Sequence, residues 1–262
     1  MSGGNRSREP GAAAPPARRA AGILTVLAIS MFAATASAQN EAELEPAGND
    51  VADTASLQRG ARYFVNYCLG CHSARYVRYN SLAEDLQLTE DLVVQNLMFT
   101  GEQPFDTMTN AMRPEDAVRW FGIAPPDLSL IARSRGADYV YTYLRSFYQA
   151  PSSPTGVNNV VLPNTAMPHV LWELQGVNRA VFEADEAHGG EEVFRRFEPV
   201  SAGQLTTQQY DQVVRDIVNF LDYVGDPTQL AREALGVRVI AFLLVFLVIA
   251  WLLKRAIWKD VT

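Results

Sequence analysis

The feature that most constrains this chain is the run Cys68-Leu69-Gly70-Cys71-His72, a C-x-x-C-H pattern preceded by Asn66-Tyr67. Two thiols three positions apart, followed at once by an imidazole, make the attachment signature of a c-type haem. Each thiol can form a thioether to a vinyl group, and the adjacent histidine then lies against the iron as proximal ligand. Covalent attachment fixes the cofactor and the histidine fixes its orientation, so the rest of the chain is organised around this point. C-x-x-C alone also serves a redox dithiol or half of a zinc site. Cys68 and Cys71 are the only cysteines, however, and a structural zinc would have to draw its other ligands from three histidines and carboxylates. One haem c, bound through Cys68 and Cys71 with His72 on the iron, is the expected cofactor.

The two ends of the chain bear on where such a domain sits. Arg6, Arg8, Arg18 and Arg19 form a basic region, Ala20 to Ala34 an apolar run, and Ala36-Ser37-Ala38 an A-x-A cleavage site. Residues 1–38 therefore read as a cleaved signal peptide. An uncleaved N-terminal anchor is the alternative, but the run is short for a span and ends in small residues. At the other end, Leu235 to Leu253 carries Arg238 as its only charge, and Lys254, Arg255 and Lys259 follow. At 1.5 Å per residue this stretch gives about 28 Å, enough to cross a bilayer core. Arg238 can snorkel to the outer surface, and Trp251 and Trp258 suit the far interface. The basic cluster stays cytoplasmic by the positive-inside rule. Residues 39–234 are expected as a domain on the periplasmic side of a bacterial inner membrane, 235–253 as one transmembrane helix in contact with membrane lipid, and 254–262 as a cytoplasmic tail.

Residues 39–236 hold 14 Arg, no Lys and 27 Asp plus Glu, a formal net charge of −13 with histidine neutral. Such a surface repels nucleic acid and can attract a basic protein partner. The acidity gathers at Glu41, Glu43, Glu45, Asp50 and Asp53, and again at Glu183, Asp185, Glu186, Glu191, Glu192 and Glu198. Taken alone, each cluster is equally well an ordinary solvated face.

Between these ends the pattern is mostly helical. Residues 39–50 read as a flexible lead-in. Asp53 or Thr54 can cap a helix through Leu57, Gly60, Ala61, Phe64 and Val65 to the cysteines, with small Gly60 and Ala61 permitting another helix to come close. Arg75, Tyr76, Arg78 and Tyr79 would cover the cofactor or meet a neighbouring subunit. Thr89 caps a short helix containing Met98, Gly101 to Thr109 is turn-like, and Arg113-Pro114 starts a helix in which Trp120 belongs to the core or to a cofactor wall. Ala124-Pro125-Pro126-Asp127-Leu128 is forced to be extended. Leu128 to Arg135 and Ala137 to Phe147 read as helices separated by Gly136. The last element of the domain runs from Thr206 or Thr207 through Tyr210, Val213, Val214, Ile217, Val218, Phe220, Leu221 and Val224, an amphipathic helix expected to pack on the first one. Gly225-Asp226-Pro227 stops it.

A haem in this setting commonly takes a second axial ligand, and a thioether raises its reduction potential. Met98 falls on a predicted helix, while Met108 and Met112 fall in a polar turn and at a helix start. Met167 lies between Pro163 and Pro168 on a stiff segment and is the expected sixth ligand. His169 is the competing donor, although the intervening proline keeps both from facing the iron. His188, among charges and Gly189-Gly190, reads as a solvated loop residue.

Asn66 to His72, Arg75-Tyr76, Arg78-Tyr79-Asn80, Ala124 to Ser129, Arg133 to Tyr139, Tyr143-Leu144, Ala166-Met167-Pro168 and the C-terminal anchor, in this order, resemble the cytochrome c1 family in its compact proteobacterial form. The resemblance covers essentially the whole mature chain. It implies a mostly α, class I cytochrome c-like domain with long insertions between helices, plus one C-terminal transmembrane helix. It implies His72 and Met167 as axial ligands, Arg135 at a haem propionate, Tyr139 in the haem pocket and Pro125-Pro126 along the haem edge. Without further cysteines, the stabilising disulfide of some bacterial relatives cannot form, and the insertions of larger members are absent. The function implied is single-electron relay from a mobile Rieske iron-sulfur protein to a cytochrome c, in a quinol-oxidising complex with cytochrome b, the chain being non-catalytic alone. An independent membrane-tethered cytochrome c shuttle is the alternative, and a haem-binding sensor or structural subunit with an open or replaceable sixth position a second.

Overall fold

The computed structural model describes residues 43–185 and 190–260. The expected signal segment, the acidic Glu41, and Glu186 and His188 lie outside them. Helix α1, Thr54–Tyr63, starts where Asp53 accepts a hydrogen bond from Ser56 N at 3.0 Å. It runs on into a wider π turn, Phe64–Cys68, so Cys68 ends the helical run as the sequence pattern predicts.

Strand β1 (Ala74–Arg78) follows the motif and pairs antiparallel with β2 (Thr107–Met108), Ala74 lying opposite Met108. Between and after them come α2 (Tyr79–Asp85), α3 (Glu90–Asn96, capped by Thr89) and α4 (Pro114–Phe121). Gly122, at φ 78°, ends α4 in the left-handed region where a Cβ is penalised. Helices α5 (Ile131–Arg135) and α6 (Ala137–Arg145) meet at Gly136. Strands β3 (Phe147–Gln149) and β4 (Val157–Asn159) form a second ladder. After α7 (Trp172–Gln175) comes a hairpin of β5 (Gly176–Asp185) and β6 (Glu191–Ala202). The domain closes with α8 (Thr207–Gly225), and α9 (Gln229–Ile257) follows.

The core is built where α1 crosses α8. Leu57, Ala61 and Phe64 of the first run pack with Val214, Ile217, Val218, Phe220 and Leu221, all buried. The phenyl rings of Phe64 and Phe220 lie 5.4 Å apart. Gly60 is the contact point: a Cβ there would collide with the Asp216 carbonyl oxygen and lie 2.7 Å from Phe220 Cβ. One charge is buried in this interface. Asp216, 1% exposed, accepts from Arg59 Nε at 2.7 Å and Nη2 at 2.9 Å, from Ser56 Oγ at 2.7 Å and from Gln212 Nε2 at 2.9 Å. Four donors satisfy a carboxylate that would otherwise be costly to bury.

The N-terminus of α8 carries a capping box. Thr206 Oγ1 accepts from Gln209 N at 3.3 Å, and Gln209 Oε1 accepts from Thr206 N at 2.9 Å. Replacing Thr206 with alanine should cost about 1 kcal/mol, read as a lower thermal midpoint of the purified chain. An unchanged midpoint would show that packing alone holds this end.

Several expectations are corrected. Trp120 is 59% exposed and is no core residue, because α4 buries only Ala117. The α5 helix starts at Ile131, not Leu128, since Leu128 N is taken by Ser73 O and Ser129 N by the Asp127 side chain; α6 stops at Arg145, and Phe147 instead opens a strand. Met98 lies beyond the end of α3, and Met108 is buried in β2 instead of lying in a polar turn. The β5–β6 hairpin has no counterpart among the expected elements. Its charges pair across the strands, Arg195 with Asp185 at 3.1 Å, Arg179 with Glu198 at 3.2 Å and Arg196 with Glu183 at 3.5 Å. Glu183, Asp185 and Glu198 are thus partly neutralised on exposed strands, where such pairs add little stability. Helix α9 has 29 residues and is longer than the expected span. At 1.5 Å per residue it reaches about 44 Å, so its ends extend past a bilayer core of about 30 Å.

Candidate functional site

The site starts at the end of the π turn. Cys71 N and His72 N both donate to the Cys68 carbonyl, at 3.0 and 2.8 Å, which folds the motif into a tight turn. Both thiols are free, Cys68 buried and Cys71 half-buried. Burial pushes the Cys68 thiol up to about 12 and raises Cys71 as well. Dithiol exchange needs an accessible thiolate, so this environment counts against that reading of C-x-x-C. The motif residues also do not converge as ligands of one ion would: among the described residues, no group of three or more His, Cys, Asp and Glu is placed to hold a metal.

His72 is oriented by the extended proline segment. Its Nδ1 lies 2.7 Å from the Pro126 carbonyl oxygen. A carbonyl only accepts, so Nδ1 carries the proton and Nε2 keeps its lone pair. Burial lowers the pKa of His72, with the Pro126 carbonyl and Asp127 acting in the opposite direction, so the imidazole is neutral at neutral pH. A neutral ring with one nitrogen committed to a backbone carbonyl is the usual arrangement of a metal-ligating histidine.

The same segment is sewn to the chain beyond the motif. Leu128 N donates to Ser73 O at 2.8 Å, Arg75 Nε to Asp127 Oδ2 at 2.9 Å, and Tyr76 N to the buried Ser129 Oγ at 3.1 Å. Asn110 closes the other side, donating from Nδ2 to the Cys71 carbonyl and from N to Ser73 Oγ at 3.0 Å. Asn110 was missed in the sequence because its partners lie almost forty positions away and nothing local marks it. Of the aromatic and basic stretch after the motif, Arg75 pairs with Asp127, Tyr79 is buried and Tyr76 is exposed.

A second group of expected residues is linked by contacts of its own. The Arg135 guanidinium lies 5.6 Å from the Tyr139 ring centre, and Tyr139 stacks on Tyr143 at 6.3 Å and 5°. Tyr143 Oη is 2.8 Å from Thr165 Oγ1, two residues before Met167. Asn164 N donates to Asn158 Oδ1 at 2.7 Å, so the 163–168 segment is pinned at two points. Met167 is half-buried and packs, with Tyr67, Tyr139 and Tyr143, on the same core that contains Cys68. His169 is buried and stacked on Phe147 at 5.0 Å and 5°. Burial lowers it to about 4, although Gln175 and Gly176 pull the other way, so it too is neutral. Pro125 is half-buried and Pro126 exposed.

The donor set, two free thiols and a neutral imidazole with its Nε2 lone pair available, fits a haem c. Residues 48–261 match the Cytochrome C1 family. The chain is similar to the cytochrome c1 of Allochromatium vinosum, 50% identical over 239 residues that cover 91% of this chain and 98% of that one. It is also similar to the ammonia monooxygenase gamma subunit of Nitrosomonas europaea, 42% identical over 239 residues, 91% of this chain and 97% of that one. The cytochrome c1 of Rhodospirillum rubrum is 28% identical over 243 residues, 80% of this chain and 83% of its own length.

Proposed function

The chain belongs to the cytochrome c1 family, and from that premise we propose that it relays single electrons from a Rieske iron-sulfur protein to a cytochrome c, within a quinol-oxidising complex that includes cytochrome b. The observation that carries this reading is the His72 Nδ1 contact to Pro126, which leaves Nε2 as the ligating nitrogen beside two free thiols. A bound haem c supplies a one-electron iron couple. Cys68 and Cys71 would hold it through thioethers, and His72 and Met167 would supply the ligands to its iron. Arg135 would neutralise a propionate, Tyr139 would line the pocket, and Pro125 and Pro126 would close its edge. The protein's part is ligation, burial and surface charge; no side chain has to move a proton or attack a substrate.

The C-terminal helix, with Lys254 and Arg255 in its last turn, supports a domain on the periplasmic side of the inner membrane and a cytoplasmic tail. Residues 1–38 would be removed as a signal peptide. Purification in mild detergent tests the assignment: cytochrome b and a Rieske protein should accompany the chain. Recovery of the chain alone, under conditions that keep other respiratory complexes intact, would replace this reading with that of an independent tethered shuttle.

A further inference from the structure

One short link joins the haem-site domain to its membrane helix, since α8 ends at Gly225 and α9 begins at Gln229. No residue of α9 is buried against the domain, so within this chain only the link sets the direction of the helix. A link this short, Asp226 to Thr228, lies outside both helices and would let the membrane helix change direction if nothing held it.

Asp226 holds it. This residue caps α8 with φ −156° and ψ 75°, and Pro227 keeps it out of the helical region. Its side chain is 15% exposed. Oδ2 accepts from Arg133 Nη1 at 3.3 Å and from Arg232 Nη1, and Oδ1 accepts from Thr228 Oγ1 at 3.2 Å. Arg133 belongs to α5 and Arg232 to the start of α9, so one carboxylate bridges the domain and the membrane helix.

The domain side of this bracket leads straight to the site. A Cβ on Gly225 would lie 3.4 Å from Arg133 Cβ and 3.8 Å from Ser129 O, so the last turn of α8 rests on the start of α5. Ser129 Oγ holds Tyr76 N, Asp127 holds Arg75, and the Pro126 carbonyl holds His72. Arg135 sits at the far end of α5.

The geometry points to Asp226 as a positioning residue that fixes, through Arg133 and Arg232, the angle at which the domain stands on its membrane helix. Electron exchange between a membrane-held donor and an aqueous acceptor requires that angle to be narrow, a consequence that rests on the function proposed above. As mere surface ion pairs, these contacts would change stability little and orientation not at all.

The test uses the full-length chain in lipid nanodiscs. Spin labels are introduced at Glu115 and Leu235 by unnatural amino-acid incorporation, so the motif cysteines stay untouched, and the distance between them is read by pulsed electron paramagnetic resonance. With Asp226→Ala the distribution should broaden and its maximum move by several ångströms, while covalent haem and its visible spectrum stay unchanged. Asp226→Glu should restore much of the narrow distribution. The double variant Arg133→Gln/Arg232→Gln, which keeps the carboxylate, should behave like Asp226→Ala and decides the matter if that variant fails to accumulate. A distribution that superimposes on that of the unaltered chain in the readable variant overturns the proposal. Absence of covalent haem from the unaltered chain would instead overturn the function proposed above and leave the distance result standing.

Discussion

Replacing Met167 with leucine is expected to leave the haem covalently attached while its midpoint potential falls by on the order of a few hundred millivolts and the iron opens to carbon monoxide. A neutral thioether favours the reduced metal, and leucine removes that donor at nearly constant volume. The swap itself should cost under about 1.5 kcal/mol, so unfolding cannot be the cause of the change. The loop is held independently of its methionine, by Tyr143 on Thr165 and Asn158 on Asn164, which keeps the vacated position in place. Leucine at Met98, Met108 or Met112 serves as the control and should leave the potential near its starting value. Met108 is the sharpest of these, because it is fully buried yet fixed opposite Ala74, on the strand that continues from His72. Redox titration and the axial-ligand spectrum decide the question, and an unchanged potential in the Met167 variant would pass the assignment to another donor, His169 first. Substitution of His72 should be harsher, since it removes the proximal ligand and breaks the attachment motif.

The second large effect is expected from Gly60→Ala, and its sign discriminates between two accounts of that glycine. On helix propensity alone, alanine inside α1 would stabilise the protein by about 1 kcal/mol. The new Cβ would meet the Asp216 carbonyl and Phe220 Cβ, however, and two packed helices would have to separate. Overpacking of this kind costs about 3 kcal/mol or more, so destabilisation wins. A separation at this crossing would also loosen the four hydrogen bonds to buried Asp216 and shift the π turn that ends at Cys68. The yield of haem-bearing chain in membranes should fall with the thermal midpoint of what remains. Gly122→Ala provides the comparison: its Cβ meets nothing, and only the left-handed backbone at φ 78° is penalised, by about 1 kcal/mol. A Gly60 variant as stable as the unaltered chain would show that α1 and α8 do not cross as closely as described.

What the sequence determined by itself is what depends on neighbours in the chain. The spacing of Cys68, Cys71 and His72 is a local pattern, and so are the caps at Asp53, Thr89 and Thr206 and the stop at Gly225-Asp226-Pro227. The apolar period of α8 and the unbroken apolar run of α9 read directly, because burial against a core or a lipid phase demands them over many residues. Even the close approach at Gly60 could be anticipated, since a small residue beside aromatics has few other uses in a helix.

Only the tertiary structure decided what depends on distant partners. The β5–β6 hairpin was illegible because its bulges, between Val177 and Asn178 and between Val181 and Phe182, break the alternation by which a strand is recognised. Its charged residues then read as a solvated face, and only pairing shows that they neutralise one another across the strands. Trp120 looks like core because it is large and apolar, but none of the described residues of this chain buries it. Nothing local distinguishes Asp216 from the other acids of its amphipathic helix, and its burial depends on Arg59 and Ser56 from an element more than 150 positions earlier. At the site the motif singles out His72, whereas the ring's orientation comes from Pro126 and the turn of the motif is closed by Asn110, residues that a backbone carbonyl or a single amide makes important only once the chain has folded. Hydrogen bonds of that kind leave no periodicity and no composition behind them, so they exist for the reader only in three dimensions.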